Sequence, residues 1–228
     1  AKQPDDALEA QVDAIVDQIA AHQQPDGYFN IYYMVVEPGN RFTRRARHEL
    51  YCAGHLFEAA VAYAHATGKE KFLGLMRRYA DYIERVFKDE KSAAFLTPGH
   101  EEIELALVKL YRHTGEKRYL ELSRWFVEER GRHEEGLYEM FPSKHAQDHL
   151  PVRQMETAEG HCVRALYLYS AMADLAYEYQ DEELLGVCRR IFLNIVRRRM
   201  YVTGGVGSTA HGEAFTVDYD LPNRTAYA

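Results

Sequence analysis

The sequence is short of cysteine, holds one tryptophan and contains no long apolar run, and each shortage removes a class of protein. Its three cysteines, Cys52, Cys162 and Cys188, are an odd number set inside helical patterns without metal-ligand spacing. They form no disulfide framework and are expected to act as small buried hydrophobes in a reducing compartment. No apolar stretch approaches the roughly 20 residues that a bilayer-spanning helix needs, and no signal-peptide pattern follows Ala1. The expectation is a cytoplasmic protein with no membrane partner. Positive charge is in deficit too: 28 Lys and Arg face 35 Asp and Glu, a formal charge of −7. Without a basic stripe, nucleic acid is not expected as a partner. The one basic run, Arg197-Arg198-Arg199, falls near a helix end, where cations favour the dipole, and is expected to be solvated.

What the sequence does have is an ordinary globular composition, 46% hydrophobic and 28% charged, with apolar residues recurring at helical spacing. A first helix is expected from Asp5 to about Gln23, ended by the turn signal Pro25-Asp26-Gly27. Tyr28 to Arg44 reads as a long loop or short extended segment. Helices are then expected over Ala46–Ala66, Glu70–Asp89, His100–Arg112, Lys117–Arg130, Thr157–Tyr179 and Asp181 to about Arg199, with a long loop from Gly131 to Gln154. The connectors Thr67-Gly68-Lys69-Glu70-Lys71 and Thr114-Gly115-Glu116-Lys117-Arg118 are near copies, each placing glycine just past a helix end. The unit is a helical hairpin with a tight turn at one end and a long loop at the other. The expected fold is all-α, an incomplete (α/α)6 toroid covering a little over half of a barrel. An open α-solenoid is the structural alternative.

Histidines recur at one place in this repeat: His48-Glu49, His100-Glu101 and Glu159-Gly160-His161 each open an inner helix at the long-loop end. Helix N-termini favour the neutral imidazole, which can donate one hydrogen bond and accept another, as a sugar hydroxyl requires. His55 lies two turns below His48 and is assigned to core packing; His65 and His113 close their helices and receive no function. The 17 tyrosines suit a sugar cleft, since each pairs an apolar ring with a hydrogen-bonding tip. In the tail, Thr203-Gly204-Gly205-Val206-Gly207-Ser208 lacks the Lys-Ser/Thr of a phosphate loop. His211-Gly212-Glu213-Ala214-Phe215 places a carboxyl group among glycines and aromatics, where a raised pKa would make Glu213 a general acid.

These segments resemble glycoside hydrolase family 127, the β-L-arabinofuranosidase family. The resemblance runs through Gln23-Gln24-Pro25-Asp26-Gly27-Tyr28, His48 to His55, Pro98-Gly99-His100-Glu101-Glu102, Glu159-Gly160-His161, Gly204 to Ser208, and Gly212-Glu213-Ala214-Phe215 through Asn223. It implies an (α/α)6 barrel in which a zinc-bound cysteine attacks the anomeric carbon and a glutamate is acid/base, so that configuration is retained. By motif, Glu213 matches that glutamate, and His48, His100 and His161 match histidines that bind the sugar. The family's Glu-Thr-Cys run and later cysteine pair would follow Tyr227-Ala228, so residues 1–228 are expected to be a partial catalytic barrel cut before the zinc site. Zinc is therefore expected in the complete parent enzyme and none in this chain, which alone is expected to be inactive. A small carbohydrate is the expected substrate, and association with the missing half of the barrel or with a second copy the expected assembly. A sugar epimerase or polysaccharide lyase using histidine chemistry, and a non-catalytic carbohydrate-binding fragment, remain as alternatives.

Overall fold

The computed structural model describes residues 4–133 and 143–227. Positions 134–142 of the expected Gly131–Gln154 loop lie outside the described residues, as do Ala1 and Ala228. The described residues are all-helical: α1 Asp6–His22, α2 Ile31–Val35, α3 Glu49–Thr67, α4 Lys71–Glu84, α5 Ile103–Thr114, α6 Lys117–Glu129, α7 Cys162–Tyr179 and α8 Glu182–Asn194. Both α4 and α8 run on into a wider π turn, Arg85–Asp89 and Ile195–Arg199. Outside the helices, only isolated bridges such as His161 with Ala214 show β pairing among the described residues.

The hairpins form for local reasons. Gly68 and Gly115 close α3 and α5 in the left-handed conformation, at φ 74° and 75°, and donate to the carbonyls of Ala64 and Tyr111. The threonine before each glycine folds its hydroxyl back onto a carbonyl one turn earlier, Tyr63 or Leu110, at 2.8 Å in both cases. A near copy in sequence is thus a near copy in structure. The third connector makes the same turn without glycine: Gln180 takes φ 53°, and Asp181 caps α8 by accepting from Leu184 N at 2.9 Å. Left-handed backbone costs a non-glycine residue about 1–2 kcal/mol, which the cap offsets.

α3 packs on α5 and α5 on α7, forming an inner row; α4, α6 and α8 pack behind, and α1 lies against α4. α5 is buried nearly all round from Ile103 to Val108 and belongs to two cores at once. Ile103, Ala106, Leu107 and Leu110 face a cluster built with α3, α4 and α6, while Leu105 and Val108 face a second cluster built with α7 and α8. The first core is aromatic: Tyr28 sets its ring edge-on against Phe42 and Tyr79 at centroid separations of 5.7 and 5.5 Å.

Several boundaries move from their expected positions. α3 begins at Glu49, with His48 held left-handed at φ 60° after the short turn Arg45–Arg47. His100 stands three residues ahead of α5, because Glu102 leaves helical geometry (φ 174°, ψ −44°). α7 starts at Cys162 rather than Thr157, and the segment expected as loop or extended chain contains the short helix α2. The basic run is a solvated end only in part: Arg197 and Arg198 are exposed, as expected, but Arg199 is not. The π turn rotates Arg199 inward, where it is buried and donates from Nε to Asp218 Oδ1 at 2.7 Å. Of the cysteines, Cys162 is buried but Cys52 is exposed.

Candidate active site

The leading ends of α3, α5 and α7 bring His48, His100 and His161 side by side. Ring centroids lie 5.7 Å apart for His48 and His100, and 5.8 Å for His100 and His161. Glu213 arrives from the tail. Gly160 has φ 75°, and a Cβ there would meet Lys144 O at 1.7 Å, so only glycine lets these loops touch. Phe215 N then donates to Gly160 O at 2.9 Å, fixing the His211–Glu213 turn beside His161. The four residues line one cleft of about 350 Å³ together with Tyr51, Val163, Arg164 and Tyr227.

Hydrogen bonds set which nitrogen carries each proton. His161 caps α7, accepting from Arg164 N on Nδ1 at 3.3 Å. Its Nε2 therefore bears the hydrogen and donates to Glu213 Oε2 at 2.8 Å. His100 does the reverse, donating from Nδ1 to the Glu101 carbonyl at 2.8 Å and leaving Nε2 as an acceptor. Burial lowers the pKa of His48 and His161, with the Arg164 charge next in effect, and brings His100 down to about 3. The cleft thus presents neutral imidazoles, with the tautomers of His100 and His161 fixed.

Glu213 differs from its expected state. Its side chain is 45% exposed, and the rise that burial causes is outweighed. Hydrogen bonds from Tyr227 and then His161 keep its carboxyl below the ordinary value rather than above it. His55, expected in the core, is 41% exposed in its side chain and faces Glu58 and Glu102. His65 and His113 line a separate cavity of about 610 Å³ farther along α3 and α5.

Sequence reasoning missed the groups that hold the cleft in shape. Buried Arg164 donates from Nη1 to His145 Nε2 at 2.6 Å. Its signal was available: an arginine one turn after His161, on the same helical face as Leu168. Beneath the histidines, fully buried Arg130 reaches Ala146 O (2.7 Å), Pro98 O (2.9 Å) and Glu104 Oε1 (3.1 Å). It also ion-pairs with Glu101 (3.2 Å) and Asp148 (3.3 Å). Arg45 joins Asp148 from the other side and donates to Thr97 O at 2.8 Å. This network ties the Pro98–Glu104 segment, which carries His100, to the Ser143–Asp148 turn, which carries His145. On α3, buried Glu49 anchors the residue after His48, accepting from Tyr28 OH at 2.6 Å and Phe42 N at 2.9 Å.

A pH effect follows from His145, whose pKa burial lowers to about 4, with Arg164 as the next cause. The unfolded imidazole titrates near 6.5, so between about 4 and 6.5 the unfolded chain binds the extra proton. The stability contributed is present above 6.5 and is lost as pH falls. His145→Gln keeps an acceptor for Arg164 and removes the titration. The wild-type urea midpoint should fall relative to that variant as pH is lowered from about 6.5 to 4; parallel curves would refute the assignment.

A row of parallel helical hairpins whose leading ends gather three imidazoles and a carboxylate in one cleft places the chain among α/α-hairpin proteins with a polar end-site. The chain belongs to the β-L-arabinofuranosidase GH127 catalytic-domain family, whose model matches residues 1–228. It is 41% identical to a non-reducing end β-L-arabinofuranosidase of Bifidobacterium longum subsp. longum, over 98% of this chain and 37% of that protein. It superposes on the crystal structure of a GH127 β-L-arabinofuranosidase from Geobacillus stearothermophilus T6 with a TM-score of 0.92 and 48% identity, covering 98% of this chain and 38% of that one. A second solved GH127 β-arabinofuranosidase aligns with a TM-score of 0.90 and 37% identity, over 99% of this chain and 36% of that one. The chain spans just over a third of the length of these relatives.

Proposed function

We propose that the chain is the N-terminal part of an (α/α)6 catalytic barrel in a retaining glycoside hydrolase acting on β-L-arabinofuranosides or related plant-polysaccharide sugars. Glu213 is its acid/base, and His48, His100 and His161 bind the sugar. The observation that carries this reading is the His161–Glu213 hydrogen bond in a cleft whose other imidazoles, His48 and His100, are neutral. Uncharged imidazoles with one donor and one acceptor match sugar hydroxyls, and Tyr51 offers a ring face beside them. A base held near pKa 3, as His100 is, abstracts protons poorly, so no observation favours the epimerase or lyase alternative.

Glu213 must gain a proton to act as an acid. A bound sugar that excludes water from the cleft raises its pKa toward that state. It then protonates the glycosidic oxygen, and the same carboxylate, left ionised, takes a proton from the incoming water. On this reading the nucleophile and the zinc belong to the rest of the protein. Cys162 and Cys188 do not fit that role, since burial pushes their thiols up to about 11. No cysteine joins the group of potential metal ligands found among the described residues. Cytoplasmic location, and association of this part with the remaining half of the barrel, belong to the same proposal.

Product stereochemistry tests it. Proton NMR of the first arabinose released by the whole protein should show the substrate's anomeric configuration. Inversion would discard the retaining scheme, and absence of hydrolysis by the whole protein would leave a carbohydrate-binding role.

A further inference from the structure

One cluster of ligating side chains stands outside the acid/base cleft. His55 and Glu58 are one turn apart on α3, and Glu102 comes from the segment that leads into α5. His55 Nδ1 lies 3.4 Å from Glu102 Oε1 and 3.9 Å from Glu58 Oε2, and the three donor atoms all lie within 4.8 Å of one another. Lys109 occupies the other oxygen of Glu58. Glu102 is the unusual member: its side chain is 0% exposed, neither oxygen meets a backbone or neutral side-chain donor, and its neighbours are His55 and the Glu58 carboxyl. A buried carboxyl whose neighbours are a half-exposed imidazole and a second carboxyl is costly. The fold makes room for it, because Gly54 leaves open the volume it fills; a Cβ there would stand 1.5 Å from Glu102 Oε2 and 2.8 Å from the Ile103 backbone.

We propose that His55, Glu58 and Glu102 form a binding site for a divalent cation of the zinc class, bridging α3 to the segment that carries His100. Zinc bonds nitrogen and oxygen at about 2.0–2.2 Å, so tetrahedral ligand atoms sit about 3.3–3.5 Å apart. The His55–Glu102 separation already has that value, and the partly exposed Glu58 side chain would close in from 3.9 Å of His55 Nδ1. One imidazole and two carboxylates with an open fourth position suit a borderline cation. The Tyr51 ring stands 4.4 Å from both the His55 and the His100 rings, so this centre would stiffen one wall of the sugar cleft.

Zinc content and thermal stability of the whole protein carrying this chain provide the test. Wild type, Glu102→Gln and His55→Ala are equilibrated with zinc, freed of loose metal by gel filtration, and analysed by mass spectrometry of the metal. Each variant should hold one zinc ion fewer than wild type and should lose the part of the zinc-induced rise in Tm that this site supplies. His55→Ala alters a half-exposed side chain, which keeps the test readable if Glu102→Gln folds poorly. Equal zinc content in wild type and variants overturns the proposal.

Discussion

Arg130→Met is expected to cost about 3–5 kcal/mol of folding stability, read as a drop in the urea midpoint at unchanged slope. Arg130 is 0% exposed, and its guanidinium faces the buried carboxyl groups of Glu101, Glu104 and Asp148. Methionine fills much of the volume, so the loss measures uncompensated charge more than a cavity. Arg45 remains beside Asp148, but no other cation is paired with Glu101 or Glu104 among the described residues. The carboxyls must then be protonated to stay inside. Burial already raises Glu101 to about 8 with Arg130 opposing that rise, so removing Arg130 moves it further up. A group with a raised folded pKa contributes stability below its unfolded value, near 4.5, that is lost as pH rises through the folded value. The deficit of Arg130→Met should therefore shrink as pH is lowered toward about 4.5. A deficit that stays constant with pH would mean that packing, not charge, is what the arginine supplies.

How far the sequence disclosed this architecture depends on how local each cause is. The hairpin turns were legible because Thr67-Gly68 and Thr114-Gly115 carry their own geometry: a left-handed glycine and a hydroxyl folded back onto the preceding turn. The cleft was legible by repetition, since His48, His100 and His161 occupy like places in three successive units. Each histidine's protonation, by contrast, rests on contacts that no window of sequence displays. His161 meets Glu213 across 52 residues, and Arg45 meets Asp148 across 103. The expectation of a raised Glu213 pKa failed for this reason. Aromatic neighbours in sequence suggested an apolar pocket, whereas Tyr227 delivers a hydroxyl to the carboxylate and half of the side chain stays in water. His55 was misread on periodicity: it follows His48 down α3, but its side chain stays partly exposed beside Glu58 and Glu102 instead of filling the core.

Glu213→Gln in the whole protein should lower kcat/KM by about 10²–10⁴ for a sugar leaving group, the range that one positioned acid/base supplies. Glutamine keeps an acceptor for His161 and Tyr227 and should leave the fold intact, so circular dichroism and Tm should match wild type. With a p-nitrophenyl arabinofuranoside the first step should suffer less, because nitrophenolate leaves without needing a proton, and water attack then becomes limiting. An equal loss on both substrates would argue that Glu213 binds rather than transfers protons. A second variant separates these roles by pH. Tyr227→Phe removes the largest cause holding the Glu213 carboxyl low, so its pKa should rise. Since catalysis begins from the protonated acid, the alkaline limb of the kcat/KM profile should then move to higher pH, while Glu213→Gln should abolish that limb. A limb that persists in Glu213→Gln belongs to another group and removes Glu213 from the acid role.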